Sequence, residues 1–237
     1  MAHRDGAALV AGRVAAVFDP HWFEADGQGG TPFRGGRGNV VRLQTAVGDL
    51  VLRHYLRGGL PRHLVRRHYL WTGAERTRAF REFRLLQRLA GSGLRVPEAV
   101  AARYWRRGPV YRAALLTTLV PAARTLLERL EQAPERAESL LARSADAVAA
   151  LHAQGVWHAD LNATNLLFDG DDAVWLIDFD RAREGVHDRA VLAGNLERLR
   201  RSLRKRLPGP ALAAVESAWP AAVERWRGAL DRLSSPR

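Results

Sequence analysis

Asp160, Asn165 and Asp178 stand five and thirteen residues apart within HADLNATNLLFDGDDAVWLIDFD, residues 158–180. Carboxylates beside apolar, strand-like runs are costly to fold unless something binds them. A divalent cation carrying phosphate oxygens is one such partner. The runs LLF and AVWLI, joined by DGDD, predict a β-hairpin between Asn165 and Asp178. A hairpin returns its two ends to one place, so Asn165 and Asp178 are expected side by side, with Asp160 in the preceding loop facing the same space. Asn165 and Asp178 then offer hard oxygen ligands for Mg²⁺. Asp160 is left to accept or orient the proton of an attacking hydroxyl, an arrangement suited to phosphoryl transfer. Asp169, Asp171 and Asp172 read as solvated turn residues, and His158 as a brace for the loop.

The elements that must position these residues follow from periodicity. Residues 39–45 and 49–55 alternate as strands around AVGD, after a glycine-rich stretch at 26–38. Residues 75–90 predict a helix with Phe83, Leu86 and Leu89 on one stripe, ended by GSG at 91–93. Strand-like pieces recur at 99–105 and 111–119. Val120 and Pro121 break the pattern. Residues 135–154 predict a long amphipathic helix stopped by Gly155, and the chain from about Arg189 onward looks helical throughout. The expectation is an α+β fold of two lobes, a strand-rich one over residues 1–119 and a mostly helical one over residues 120–237, joined near Thr117–Pro121.

Composition sets the limits. A chain of 237 residues with 47% apolar and 26% charged side chains builds ordinary soluble cores. No cysteine is present, which excludes disulfides and thiolate metal sites. No window approaches the ~18 consecutive apolar residues of a membrane span, and the first twenty residues are interrupted by Arg4, Asp5 and Arg13, unlike a signal peptide. Cytoplasmic residence is the expectation. The net charge is +12, nearly all of it arginine, with Lys205 the sole lysine. Such a chain suits an anionic partner and argues against a polycationic one such as an aminoglycoside.

HADLNATN resembles the H-R-D-x-x-x-x-N catalytic loop of the protein-kinase-like superfamily, and DFD its D-F-G. The resemblance spans about residues 33–185. It implies that Gly35, Gly36 and Gly38 lie over a nucleotide and that the helix bearing Glu82 takes the place of the αC helix. The superfamily's strand lysine is absent. Aligning DLVLRHY to that strand puts Arg53 there, where its fork suits both a phosphate and Glu82. Asn162 replaces the lysine common in protein kinases. Asp180 stands where the family has glycine, and reads either as an added carboxylate near the metal or as a partner for Arg181 or Arg183. The residues that follow DFD contain no A-P-E signature and no long activation segment.

Taken together, VLRHYLRGG, REFRLLQRL, HADLNATNLL and IDFDRAR resemble the lipopolysaccharide kinase family. That resemblance implies ATP and Mg²⁺ as cofactors and an anionic glycolipid acceptor. The implied reaction is phosphorylation of the 4-hydroxyl of 3-deoxy-D-manno-octulosonic acid (Kdo) on Kdo–lipid A, by an enzyme held peripherally at the cytoplasmic side of the inner membrane. Neither nucleic acid nor a stable protein partner is expected. Arg57, Arg62, Arg66 and Arg67, in the basic segment 53–69, are candidates for the acceptor's anionic groups, the alternative being a solvated basic linker. Two other readings stand beside this one. One is a heptose kinase or other small-molecule kinase of the same fold. The other, a basic pseudokinase or nucleic-acid-binding module, is favoured by the missing lysine and opposed by the intact Asp160, Asn165 and Asp178.

Overall fold

The computed structural model describes residues 6–24, 31–32, 40–55 and 69–234. The chain falls into two compact units, Met1–Arg88 with Pro97–Leu119, and Leu89–Val96 with Val120–Arg237.

In the first unit, alternation writes the hairpin over residues 40–54. Strand β1 is Gly6–Val10, β2 Thr31–Pro32, β3 Val40–Thr45, β4 Gly48–His54 and β5 Tyr69–Leu70. Val41, Leu43, Leu50 and Leu52 are buried while Arg42 and Gln44 are exposed, as a period of two requires. The β3–β4 turn is two residues long, Ala46 and Val47, and closes on Gly48, whose φ of +104° suits a residue without Cβ. The Thr45 hydroxyl donates to the Gly48 carbonyl at 2.8 Å and pins that turn.

Strands β6 (Ala99–Arg107) and β7 (Val110–Thr118) form a second hairpin, each running to nine residues. Among the described residues the sheet has seven strands in the order β1-β6-β7-β4-β3-β2, with β5 also paired to β7. Helix α1, Arg78–Gly91, buries Phe80, Phe83, Leu86 and Leu89. It starts three residues later than periodicity suggests. Ala74–Arg76 is a short 3-10 turn, and Thr77 is extended with ψ 144°, so the α-helical run begins only at Arg78. The GSG stop acts as expected: Gly93 takes φ +80°, and the Leu94 N–H reaches back to the Leu89 carbonyl at 3.1 Å.

In the second unit, strand β8 (Arg124–Thr125) leads into helix α2 (Leu126–Gln132). Thr125 and Glu128 form a capping box at that junction. Helix α3, Ala137–Ala153, precedes the catalytic-loop segment. Strands β9 (Leu166–Phe168) and β10 (Val174–Leu176) make the hairpin that the apolar runs predict, and with β8 they form a three-stranded sheet. The Leu176 N–H bonds the Arg95 carbonyl at 3.0 Å, which ties the loop after α1 to this unit. Helices α4 (Arg189–Arg206) and α5 (Gly209–Ser234) follow. The region beyond Arg189, expected to be helical, is divided into two helices. Leu207 is extended at ψ 140° and Pro208 follows, where an extended residue before proline is expected. Asp188 caps α4, its carboxylate accepting from the N–H groups of Ala190 and Val191.

Candidate active site

The catalytic-loop segment, residues 158–165, is held by main-chain and amide contacts that leave its acidic side chain outward. The Asn165 side-chain N–H donates to the Asp160 carbonyl at 2.8 Å. The Asn165 carbonyl accepts from Ile177 N–H at 3.1 Å, one residue before Asp178. Asp160, Asn165 and Asp178 are thereby gathered at the open end of the β9–β10 hairpin. Because the nitrogen of the Asn165 amide is used on Asp160, its oxygen is the end left to accept. Asp178 has φ +66°. For a residue bearing a Cβ this left-handed conformation costs about 1–2 kcal/mol, and strain of this kind concentrates at ligand sites. It turns the chain sharply where β10 ends.

His158 is the brace. It is fully buried, and its ring packs on that of Phe179 at 4.9 Å. The Asp160 N–H donates to its Nδ1 at 3.2 Å, so Nδ1 is bare; Nε2 therefore carries the hydrogen and donates to the Ile177 carbonyl at 3.0 Å. One neutral imidazole thus spans the loop and the strand that carries Asp178. Burial is the main reason its pKa lies below the usual histidine value.

Behind the loop lies a polar network that pattern-reading does not identify. Asn195, on α4, has no exposed surface. Its Oδ1 accepts from the His158 main-chain N–H at 3.0 Å, and its Nδ2 donates to the His158 carbonyl at 2.7 Å. The same oxygen accepts from His152 Nε2 at 3.1 Å, while His152 Nδ1 accepts from the Trp226 indole at 3.0 Å. Burial pushes the His152 pKa down to about 4. A clue was present: Asn195 interrupts the apolar stripe of Leu192, Leu196, Leu199 and Leu203. A buried amide in such a stripe needs partners.

The turn carboxylates are not merely solvated. Asp169 accepts from the Trp175 indole at 2.8 Å and from the N–H groups of Ala173 and Asp171, and so organises the turn. Those bonds hold its pKa below the usual carboxylate value, against the opposing effect of burial. Asp172 pairs with Arg129 and with Arg136, the latter at 2.5 Å. Asp171 is exposed, in keeping with a solvated turn position.

In the strand-rich unit, Arg53 on β4 and Glu82 on α1 form an ion pair. Glu82 is buried to 3% exposure and accepts a second bond, from the Tyr55 hydroxyl at 2.6 Å. The Arg53 guanidinium lies 4.8 Å from the centre of the Tyr55 ring. Tyr55 is the member that the sequence reading missed. It lies two residues beyond Arg53, where strand alternation puts both on one side. Gly35, Gly36 and Gly38, and Arg57, Arg62, Arg66 and Arg67, lie outside the described residues.

The donors fit a nucleotide-bound ion. Among the described residues, no cluster of three or more histidine, aspartate or glutamate side chains is placed to hold a metal. Asn165 and Asp178 supply one amide oxygen and one carboxylate. That is the partial set typical of Mg²⁺, which takes its other ligands from phosphates and water.

An antiparallel sheet with an arginine paired to a buried glutamate, and a helical unit carrying this loop and hairpin, define a protein-kinase-like α+β fold. Residues 32–222 match the model of the Lipopolysaccharide kinase (Kdo/WaaP) family. Among curated relatives, the 3-deoxy-D-manno-octulosonic acid kinase of Stenotrophomonas maltophilia (strain R551-3) is 44% identical over 193 residues, covering 81% of this chain and 75% of its own. That of Vibrio parahaemolyticus is 39% identical over 191 residues, covering 81% and 79%. That of Xanthomonas axonopodis pv. citri is 44% identical over 171 residues, covering 72% and 68%. This chain belongs to the Lipopolysaccharide kinase (Kdo/WaaP) family, a family of phosphotransferases.

Proposed function

We propose that this chain transfers the γ-phosphoryl group of ATP to the 4-hydroxyl of Kdo on Kdo–lipid A, working with Mg²⁺ at the cytoplasmic surface of the inner membrane. The observation that carries the chemistry is the bond from the Asn165 amide to the Asp160 carbonyl, which holds the candidate metal ligand and the candidate base in one loop. The acceptor follows from the relatives, which bear the name 3-deoxy-D-manno-octulosonic acid kinase at 39–44% identity. No helix among the described residues is long and apolar enough to cross a membrane. A net charge of +12 suits attraction to an anionic lipid surface instead.

In this reading Asp160 orients the acceptor hydroxyl and takes its proton as the oxygen attacks the γ-phosphorus. The bond from that phosphorus to the bridging oxygen of ADP breaks in line, and ADP leaves. Asn165 and Asp178 would hold the metal, which would supply neutralisation of phosphate charge. Arg53, held by Glu82, directs its guanidinium to the nucleotide phosphates, replacing a lysine's point charge with a fork. Glycines 35, 36 and 38 allow close approach of the backbone to phosphate. Arg57, Arg62, Arg66 and Arg67 meet the acceptor's anionic groups.

The test is a panel of acceptors assayed with labelled ATP: Kdo–lipid A, heptosylated core and an aminoglycoside. Transfer to Kdo–lipid A at a kcat/KM roughly 100-fold or more above the other two is expected, because a site built for one set of polar groups leaves them unpaired with another. Preferred transfer to the heptosylated core would identify a heptose kinase. Steep salt-dependent nucleic-acid binding without turnover would identify a binding module.

A further inference from the structure

The side of α4 that grips the catalytic loop carries more positive charge than the grip requires. Asn195 holds the main chain of His158, and the Ser202 hydroxyl accepts from the Ala163 N–H at 3.2 Å. Two turns of α4 therefore run alongside residues 158–163. Arg198 stands between these two contacts, three residues after Asn195 and four before Ser202, on the same helical face. Lys205 lies three residues beyond Ser202 on that face, and Arg201 borders it. Arg198 is partly buried, whereas Arg201 and Lys205 are exposed.

The three cations differ from Arg200 and Arg204 of the same helix. Arg200 and Arg204 both bond Glu216 of α5, at 2.5 to 2.9 Å. Glu197 acts on Arg204. The side chains of Arg198, Arg201 and Lys205 form no ion pair or hydrogen bond among the described residues. Arg198 is near enough to the loop for its charge to disfavour protonation of His158. Three like charges on successive turns repel one another, so an arrangement that leaves them without a direct ion-pair partner along the Asp160 loop is set up for an anion supplied from outside.

We infer that Arg198, Arg201 and Lys205 form an anion site for the acceptor, holding an oxyacid group of the sugar lipid while Asp160 engages its hydroxyl. This rests on the functional reading above and adds residues that it does not include. The group held is a carboxylate or a phosphate. The Kdo carboxylate is on the same ring as the 4-hydroxyl, so Arg198, the member closest to the loop's two anchors, is matched to the carboxylate. Arg201 and Lys205 extend the site along the helix.

Initial-rate kinetics on the full chain test this. Arg198→Gln/Lys205→Gln is compared with a charge-matched pair on α5, Arg227→Gln/Arg232→Gln. The first pair is expected to raise the acceptor KM by roughly 100-fold, through loss of two charge-assisted contacts, with the KM for ATP unmoved. The α5 pair is expected to leave the acceptor KM within about twofold, since screening confines distant surface charge. Arg198→Lys recovers part of the loss if charge is what matters. Arg201→Gln, at an exposed position, gives a smaller rise in the same direction with no buried atom disturbed, and melting temperatures confirm that the variants fold. Repeating the comparison with acceptor stripped of its lipid A phosphates separates the two sources: a persisting ratio assigns the carboxylate, and a collapsing one the phosphate. Equal acceptor KM values for the two double variants overturn the inference. A wild-type protein that phosphorylates no Kdo acceptor overturns the functional reading itself, and this inference with it.

Discussion

Asp160→Ala lowers kcat by roughly 10²–10⁴-fold, the range for loss of a positioned acid–base group, while the melting temperature and the affinity for ATP hold. The structure separates these effects. The Asp160 side chain is exposed and makes no hydrogen bond among the described residues. Its structural bonds all run through the main chain: the N–H to His158 Nδ1, and the carbonyl to the amides of Asn162 and Asn165. Alanine keeps every one of them. A variant that retains most of its turnover would remove Asp160 from the chemistry. One that unfolds would show that the side chain has a structural role the contacts do not reveal.

Asn195→Ala is expected to damage both stability and turnover. It leaves the N–H and carbonyl of His158 and the Nε2–H of His152 without their partner, all of them buried. Buried polar groups left unsatisfied cost about 1–3 kcal/mol each, and network members do not add simply, so a loss of roughly 3–5 kcal/mol is expected. Burial of His152 makes the protein acid-sensitive. His152 titrates at about 4 in the folded chain and near 6.5 when unfolded. Between those values the unfolded chain binds a proton that the native one refuses. The contribution is therefore complete above about pH 6.5 and is lost as the pH falls toward 4, by about 3 kcal/mol in all. His158 is displaced in the same direction. Urea unfolding of wild type and Asn195→Ala at about pH 7 and about pH 5 reads both effects. Wild type should unfold at lower urea at the acid pH, and the variant at lower urea than wild type at either. Coincident midpoints for the two proteins would show that Asn195 carries no such burden.

How much of this was legible before the structure depends on how local the signal is. The hairpin 166–168/174–176 and the convergence of Asn165 and Asp178 follow from strand alternation and a short turn, which are near-neighbour facts. The pairing of Arg53 with Glu82 came from family resemblance, and its third member, Tyr55, needed only the strand period. The start of α1 was misjudged because Glu75 and Arg76 suit a helix while the extended Thr77 interrupts it. β1 and β8 escaped notice because short segments have little periodicity of their own; β1 is defined by pairing with β6 nearly a hundred residues on. Asp169 and Asp172 read as solvent-facing because their partners, Trp175, Arg129 and Arg136, become partners only through the fold. Asn195 is the largest omission. A polar residue in an apolar stripe signals a buried network, but its partner His158 lies 37 residues earlier and only tertiary packing joins them.

The central claim is that Asn165 and Asp178 hold a nucleotide-bound divalent ion beside Asp160. Titrating Mn²⁺ with ATP into the protein, and following the ion's electron paramagnetic resonance, measures this without any turnover. Wild type is expected to take up the Mn²⁺–ATP complex, with Asp178→Ala and Asn165→Ala each weakening ion binding by roughly 100-fold or more, since loss even of groups that only orient metal ligands costs 10–100-fold. Undiminished Mn²⁺ binding in both variants would contradict the account.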